Sequence, residues 1–119
     1  MRDSPTRDRF LVDEMLTHAD LVAENVKRGR DSFEIDLTVR YAVEHAVELF
    51  AEAAEKTSQA LKGVNPQIPW ERLRELRHDV VHPYDVGAAP QSVERLWKFA
   101  RDDLPGIVRR LKKSKFPAS

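Results

Sequence analysis

Hydrophobic residues recur every three or four positions along most of this 119-residue chain. No segment alternates apolar and polar residues over enough positions to predict a sheet. The spacing instead places apolar side chains on one face of successive helices, which predicts an all-α fold. Because the connections are short, an antiparallel up-and-down bundle of four main helices with a short extra helix is expected.

Glycine and proline set the expected helix ends. Gly29 stops the first helix, and residues 30–32 are expected to form a turn before the second. Pro83 ends or kinks the third helix, and Pro105 is expected to kink the fourth. Residues 64–69 contain two prolines and are expected to form a loop. The four long helices are therefore predicted over residues 4–28, 37–61, 70–82 and 91–113.

The apolar positions of three predicted helices define the expected core. They include Trp97, whose place in the apolar stripe of the last helix predicts burial. These core positions are Leu11, Met15, Ala19, Val22 and Val26; Val39, Val43, Ala46, Val47, Phe50, Ala53, Ala54 and Thr57; and Val93, Leu96, Trp97, Ala100, Leu104, Ile107, Val108 and Leu111.

Length and composition narrow the class of protein. A chain of this size normally folds around one core, so residues 1–119 are expected to form a single domain. Cysteine is absent, which excludes disulfides, thiolate metal sites and cysteine nucleophiles. No apolar run is long enough for a membrane span and the N-terminus does not resemble a signal peptide, so a cytoplasmic location is expected.

The net charge is zero, but the two halves of the chain differ. Residues 1–60 carry 8 basic and 13 acidic side chains, a net charge of −5, whereas residues 61–119 carry 12 and 7, a net charge of +5. A uniformly basic coat for nucleic acid is thereby excluded, while a local positive surface in the second half remains open. The alternative is that the basic residues near the C-terminus complement a helix dipole and favour solubility.

Side chains with useful chemistry concentrate in residues 76–85, which contain Arg77, His78, Asp79, His82 and Tyr84. Histidine exchanges protons near neutral pH, and arginine binds phosphate and stabilises its developing charge. In RNA the nucleophile can be the substrate's own 2′-hydroxyl, so one histidine and one arginine could cleave it without a metal or other cofactor. The segment therefore indicates phosphodiester chemistry on RNA.

Helical geometry leaves alternatives open. Arg77 and His82 lie about 140° apart around an ideal helix, so their convergence requires unwinding near Pro83, the reach of arginine, or a second protomer. His78 and His82 share a face, and with Asp79 they are similar to a two-histidine zinc helix, although no third ligand is placed by the spacing. In the remaining alternative, the histidines and the arginine have no catalytic role and only interact with the helix dipole and with solvent at the helix end.

The segment Arg77-x4-His82-x-Tyr84 resembles the Arg-x(4–6)-His-x-Tyr motif of HEPN-superfamily ribonucleases, in the HepT-like branch of the HEPN/MNT toxin–antitoxin systems. The resemblance extends from about Arg9 to Leu111. It includes the alanine-rich helix around Glu52, the Ile68-Pro69-Trp70 segment before the motif helix, and Asp103-Leu104-Pro105.

This resemblance implies a metal-independent endoribonuclease toxin that forms a homodimer, with the motif residues in a cleft near the dimer interface. By position, Arg77 would bind the scissile phosphate and His82 would act in acid–base catalysis. Tyr84 would accept AMP from a minimal nucleotidyltransferase antitoxin, and the added phosphate and adenosine would block RNA binding. Glu52 would orient Arg77 or His82.

The chain departs from the family pattern at two positions. His78 stands where many relatives have asparagine, so it could share proton transfer, with Asp79 as a further supporting residue. Ala51 replaces a glycine, which puts close helix packing there in doubt. A different class of function also stays open, in which a non-catalytic helical domain binds a nucleotidyltransferase and presents Tyr84 to it.

Overall fold

The computed structural model describes the backbone of residues 4–81 and 90–117 and the side chains of residues 6–76 and 93–117. Its secondary structure in these ranges is a succession of helices. No strand occurs within these two ranges. The helices are α1 (Ser4–Val26), α2 (Arg30–Ile35), α3 (Leu37–Lys56), α4 (Gln59–Val64), α5 (Trp70–Val81), α6 (Pro90–Lys98) and α7 (Leu104–Leu111), and a π-helical turn (Phe99–Asp103) joins α6 to α7.

The core lies between four long helical elements, because α6, the π turn and α7 run on as one helix. Helix α3 packs against α1 and against α5, while the α6–α7 helix contacts both α1 and α5 and completes the bundle. The all-α bundle predicted from the sequence is confirmed. No helix in the described ranges is long and apolar enough to cross a membrane.

Burial follows the predicted apolar faces closely. Every predicted core position on α3 is buried, and so is Thr57 just beyond it. Trp97 is 3% exposed, and the centroid of its ring lies 5.0 Å from the ring centroid of Phe33. Val26, Val93 and Val108 are only partly buried, at the margin of the core. Ala51, where the resemblance led us to expect a glycine, is 1% exposed, so its methyl group is accommodated inside the bundle.

The predicted turn at residues 30–32 is wrong, because Arg30–Ile35 forms the short helix α2. Gly29 precedes it with a φ of 95°, a left-handed conformation that glycine adopts without strain. Phe33 is buried, and the guanidinium of Arg40 donates hydrogen bonds to the backbone carbonyls of Phe33 and Glu34. These tertiary contacts hold a helix that is too short to be stable alone.

The predicted end of the second long helix, at residue 61, is also wrong, because α3 stops at Lys56 and a separate helix α4 follows. Thr57 is extended, with ψ 156°, and its hydroxyl donates to the carbonyl of Ala54 at 2.7 Å. The hydroxyl of Ser58 accepts from the N–H of Leu61 at 3.0 Å and so caps α4. The chain therefore has two short helices in its described part, where one was predicted. The loop expected over residues 64–69 begins one residue later, at Asn65.

The distortion predicted at Pro105 takes the form of the π turn. Proline has no backbone N–H, and its ring clashes with the carbonyl four residues earlier, so regular α-helical hydrogen bonding is interrupted. The N–H of Leu104 donates instead to the carbonyl of Phe99, five residues back. The helix thus continues past the proline, and Leu104, Ile107 and Leu111 all remain buried.

Candidate functional site

The C-terminal part of α5 holds the first half of the candidate motif. Its backbone is helical to Val81, so Arg77, His78 and Asp79 lie within about the last one and a half turns of that helix. Their side chains, and the whole of His82 and Tyr84, lie outside the described residues. The convergence of Arg77 with His82 and the orientation of Tyr84 therefore stay predictions.

Apolar contacts and one buried amide set the position of α5. Leu73 and Leu76 are 0% and 7% exposed and join the core. Trp70, at the start of the helix, packs against that core, and its indole N–H donates to the backbone carbonyl of Asn65 at 3.0 Å. The start of the motif helix is consequently fixed to the bundle by both packing and a hydrogen bond.

Asn65 also holds the C-terminal segment of the chain and is itself fully buried. Its amide nitrogen donates to the carbonyls of Leu61 at 2.9 Å and Lys115 at 2.8 Å. Its amide oxygen accepts from the N–H of Lys115, also at 2.8 Å. The basic residues that follow α7 are therefore held beside the start of α5.

Glu52 lies on α3, the helix against which α5 packs. Its side chain is 41% exposed, and one carboxylate oxygen is 3.8 Å from the ammonium group of Lys56. The expectation that Glu52 orients Arg77 or His82 concerns side chains outside the described part, so it stays a prediction.

Two adjoining clefts follow the line between α5 and the α6–α7 helix. The first, about 350 Å³, is lined by Leu76 and Phe99 and by Arg72, Glu75, Arg95, Lys98 and Asp103. The second, about 430 Å³, is lined by Pro69, Gly106 and Ile107 and by Arg72, Asp102, Asp103, Arg109 and Arg110. Arg72 and Asp103 line both clefts, so the two form one continuous surface, here called the basic groove.

Ion pairs neutralise two of the acidic residues in the basic groove. Arg72 donates to Asp103 at 2.7 Å, and this pair joins α5 to the π turn. Asp102 accepts two hydrogen bonds from Arg101, which lower the pKa of the Asp102 carboxyl and raise that of the guanidinium. Among the described side chains, Lys98, Arg109 and Arg110 donate no hydrogen bond to a carboxylate, although the charge of Lys98 acts on Glu94 and Asp102 through space.

The sequence identified only one end of this groove. The charge of the second half of the chain drew attention to Arg109 and Arg110, but not to Arg72, Arg95 or Lys98. A local signal was present, because positions 95, 98, 102, 106 and 109 recur at helical spacing and so share one face. Their pairing with α5 depends on tertiary packing.

No group of three or more histidine, aspartate or glutamate side chains suited to a metal ion occurs among the described residues. The zinc alternative relied on His78 and His82, whose side chains lie outside them.

A helical bundle with a basic groove beside its motif helix is an architecture suited to an RNA-processing protein. The family described as "Ribonuclease HepT-like" matches residues 15–114, which include α3, α5, the motif segment and the α6–α7 helix. The chain belongs to this HepT-like ribonuclease family.

Individual relatives agree with the family assignment. A protein of Thermococcus cleftensis named "Probable ribonuclease HepT" is 29% identical over 83 residues, 70% of this chain and 72% of its own length. A protein of Methanocaldococcus jannaschii with the provisional name RNase MJ1380 is 26% identical over 102 residues, 86% of this chain and 90% of its own length. No solved structure matches the chain.

Proposed function

We propose that this protein is a metal-independent endoribonuclease, the toxin of a toxin–antitoxin system, and that residues 1–119 form a single catalytic domain. The observation that carries the proposal is the family match over residues 15–114, which contains the motif Arg77-x4-His82-x-Tyr84 at the end of α5. The ribonuclease names of its relatives supply the substrate class, RNA.

The proposed reaction needs only the substrate's 2′-hydroxyl and the chain's own side chains. Neutral His82 accepts the proton of the 2′-hydroxyl as that oxygen bonds to the adjacent phosphorus. The guanidinium of Arg77 stabilises the negative charge that develops on the non-bridging oxygens. The bond from phosphorus to the 5′-oxygen breaks, protonated His78 donates a proton to that oxygen, and the products are a 2′,3′-cyclic phosphate and a 5′-hydroxyl end.

Cleavage of a labelled RNA by the purified protein in the presence of EDTA tests this reaction. We expect the wild type to yield cyclic-phosphate ends and the His82→Ala variant to lose cleavage by at least about 100-fold, the usual size of an acid–base contribution. Circular dichroism would verify that the variant is folded. His45→Ala is the matched control, because His45 is an exposed residue of α3. Full cleavage by His82→Ala, or no cleavage by the wild type on any RNA, would contradict the proposal.

The proposed regulation acts through Tyr84. A nucleotidyltransferase antitoxin transfers AMP from ATP to the Tyr84 hydroxyl and releases pyrophosphate, and the added negative charge and bulk beside Arg77 then exclude RNA. Incubation with that partner and ATP should add adenylate mass to the Tyr84 peptide, with none in Tyr84→Phe. Tyr41→Phe is the control, because Tyr41 is the other tyrosine of the chain and is exposed. Mass on another peptide would refute the assignment.

The remaining roles follow from the same proposal. Glu52, with Asp79 in support, orients Arg77 or His82, and two copies of the chain form a homodimer that brings two motifs together. The non-catalytic alternative, a helical domain that presents Tyr84, would replace this proposal if the protein bound the nucleotidyltransferase and accepted AMP yet cleaved no RNA.

A further inference from the structure

We infer that the basic groove between α5 and the α6–α7 helix binds the ribose-phosphate backbone of the RNA next to the cleaved linkage. The inference rests on the proposed ribonuclease function and adds the path of the substrate across the protein. One end of the groove lies at Leu76 and Arg95. Leu76 directly precedes Arg77 in the sequence, so the groove begins beside the motif. The other end, at Arg109 and Arg110, lies near the start of α5.

The length of the groove suits an extended strand. From Arg95 to Arg110 the helix advances about 22 Å at 1.5 Å per residue, enough for several nucleotides of single-stranded RNA. Positive side chains occur at both ends and in the middle of this path. Among the described side chains, Lys98, Arg109 and Arg110 make no hydrogen bond or close ion pair with a carboxylate. Lys98 is attracted to Glu94 and Asp102 only through space, so all three cations can still contact phosphates.

The centre of the groove is held in place before RNA binds. Arg72 donates a hydrogen bond to Asp103 across the groove at 2.7 Å. This bond holds the Arg72 side chain between the two clefts. One of its terminal nitrogens makes that bond, while a guanidinium carries five N–H donors in all. Asp103 is neutralised by the pair, so its carboxylate repels a phosphate less than a free one would.

The groove offers contacts to phosphates and hardly any to bases. Trp97 and Phe99 are 3% and 1% exposed, so neither presents a ring for base stacking. Trp70 is partly buried, and its N–H is already bonded to Asn65. Recognition by charge alone depends on salt and tolerates different base sequences. Any sequence preference of the enzyme would then arise at the motif and not along this groove.

The test measures binding of a fluorescent 20-nucleotide RNA that is fully 2′-O-methylated, so that its phosphates remain but 2′-hydroxyl attack is blocked. The groove variant is Lys98→Gln, Arg109→Gln and Arg110→Gln combined. The control variant removes three positive charges from exposed positions in or just after α1, through Arg7→Gln, Lys27→Gln and Arg28→Gln. Circular dichroism verifies the fold of both.

The groove variant should bind the RNA roughly tenfold or more weakly at low salt. The slope of log affinity against log salt should fall by about 2, because each single-strand phosphate contact contributes about 0.7. The control variant should retain the wild-type affinity and slope. Equal loss in both variants would show a general charge effect and overturn the inference, as would wild-type affinity in the groove variant.

The two proposals fail in distinguishable ways, because binding of the methylated RNA does not depend on cleavage. Absence of cleavage by the wild type would contradict the proposed function but leave the binding result standing. Wild-type affinity in the groove variant, together with normal cleavage by the wild type, would overturn the groove alone. Should the triple variant fail to fold, the pair Arg109→Gln and Arg110→Gln carries the same test, with an expected slope change of about 1.4.

Discussion

The carboxylate of Asp8 accepts two hydrogen bonds from Ser58, one from its backbone N–H at 2.9 Å and one from its hydroxyl at 2.6 Å. The two residues are 50 positions apart, and Asp8 is only 2% exposed. Because the same serine hydroxyl also caps α4, the pair joins the first turns of α1 to the break between α3 and α4.

Replacing Asp8 by asparagine should therefore destabilise the protein. The amide keeps the size of the side chain, but its two oxygens become one oxygen and one donor nitrogen, so one of the two donors of Ser58 loses its acceptor. We expect a loss of about 1–3 kcal/mol in the free energy of unfolding, measured by urea denaturation. Asp13→Asn is the control, because Asp13 is an exposed residue of the same helix, and its effect should stay within about 0.5 kcal/mol. Equal effects of the two variants would contradict the assigned role of Asp8.

The Asp8–Ser58 pair also marks the limit of sequence reasoning about the fold. Thr57 and Ser58 are residues that favour helix ends, so the break after Lys56 had a local signal, which the hydrophobic spacing through Leu61 obscured. The burial of Asp8 had no such signal, since it depends on a partner 50 residues away. Helical periodicity thus predicted which faces meet, and tertiary contacts decided where two of the helices end.

Asn65→Ala should destabilise the protein more than Asp8→Asn. The substitution removes four side-chain hydrogen bonds in a fully buried position, three of 2.8–2.9 Å and a long one from Gln67. It leaves the N–H and carbonyl of Lys115 without their partner. We expect a loss of about 2–4 kcal/mol, by thermal or urea unfolding. Gln67→Ala is the control in the same loop, because Gln67 is exposed and its one side-chain hydrogen bond, to the amide oxygen of Asn65, is long at 3.5 Å. It removes that contact while the three shorter hydrogen bonds of Asn65 stay. A near-neutral Asn65→Ala would mean that water satisfies these groups.

The pKa of Glu94 should depend on Arg30. The guanidinium of Arg30 donates hydrogen bonds to both oxygens of the Glu94 carboxylate, which lowers the pKa of that carboxyl below its ordinary value. Carbon-detected NMR titration of Arg30→Met should show the Glu94 pKa rising toward that value, while Arg28→Met leaves it low. An unchanged pKa in Arg30→Met would contradict the pairing.

The sign of the linked effect on stability follows from that direction. A carboxyl whose pKa is lower in the folded than in the unfolded protein stabilises the fold at pH values above its unfolded pKa. This contribution is lost as the pH falls through the lowered folded value. The wild type should therefore lose more stability than Arg30→Met on acidification below about pH 4.5. Because both groups are exposed to solvent, high salt should reduce the difference.

The pH–rate profile of Glu52→Gln distinguishes a positioning role of Glu52 from a purely structural one. If the carboxylate lies near His82, its loss removes a negative charge that favours the imidazolium, so the pKa governing the acidic limb of the pH–rate profile should fall. We expect about a tenfold lower cleavage rate with a shifted profile. Glu48→Gln, one turn earlier on α3, should leave both unchanged. A lower rate without any shift of the profile would contradict an action of Glu52 on His82, and a matching loss in the free energy of unfolding would assign Glu52 to stability alone.

The sequence points to some residues of the candidate site and not to others, for reasons that differ between them. Arg77 and His82 are singled out because reactive residue types are concentrated in one short segment, whereas the role of Tyr84 comes from the family resemblance, and all three assignments stay predictions. The basic groove could not be inferred as a unit, because Arg72 and Lys98 come from different helices and each looks like an ordinary solvated residue alone. Only the packing of α5 beside α6 brings their charges together.

The two hydrogen bonds between the Asn65 side chain and the backbone of Lys115 make the segment after Leu111 part of the folded structure. This basic segment is therefore more than a flexible tail that carries positive charge. Proteolysis before Lys115 would remove positive charge. It would also remove the carbonyl and the N–H that bind the buried side-chain amide of Asn65. Loss of nucleic-acid affinity after such trimming would then report on loosening at the start of α5 as much as on missing lysines.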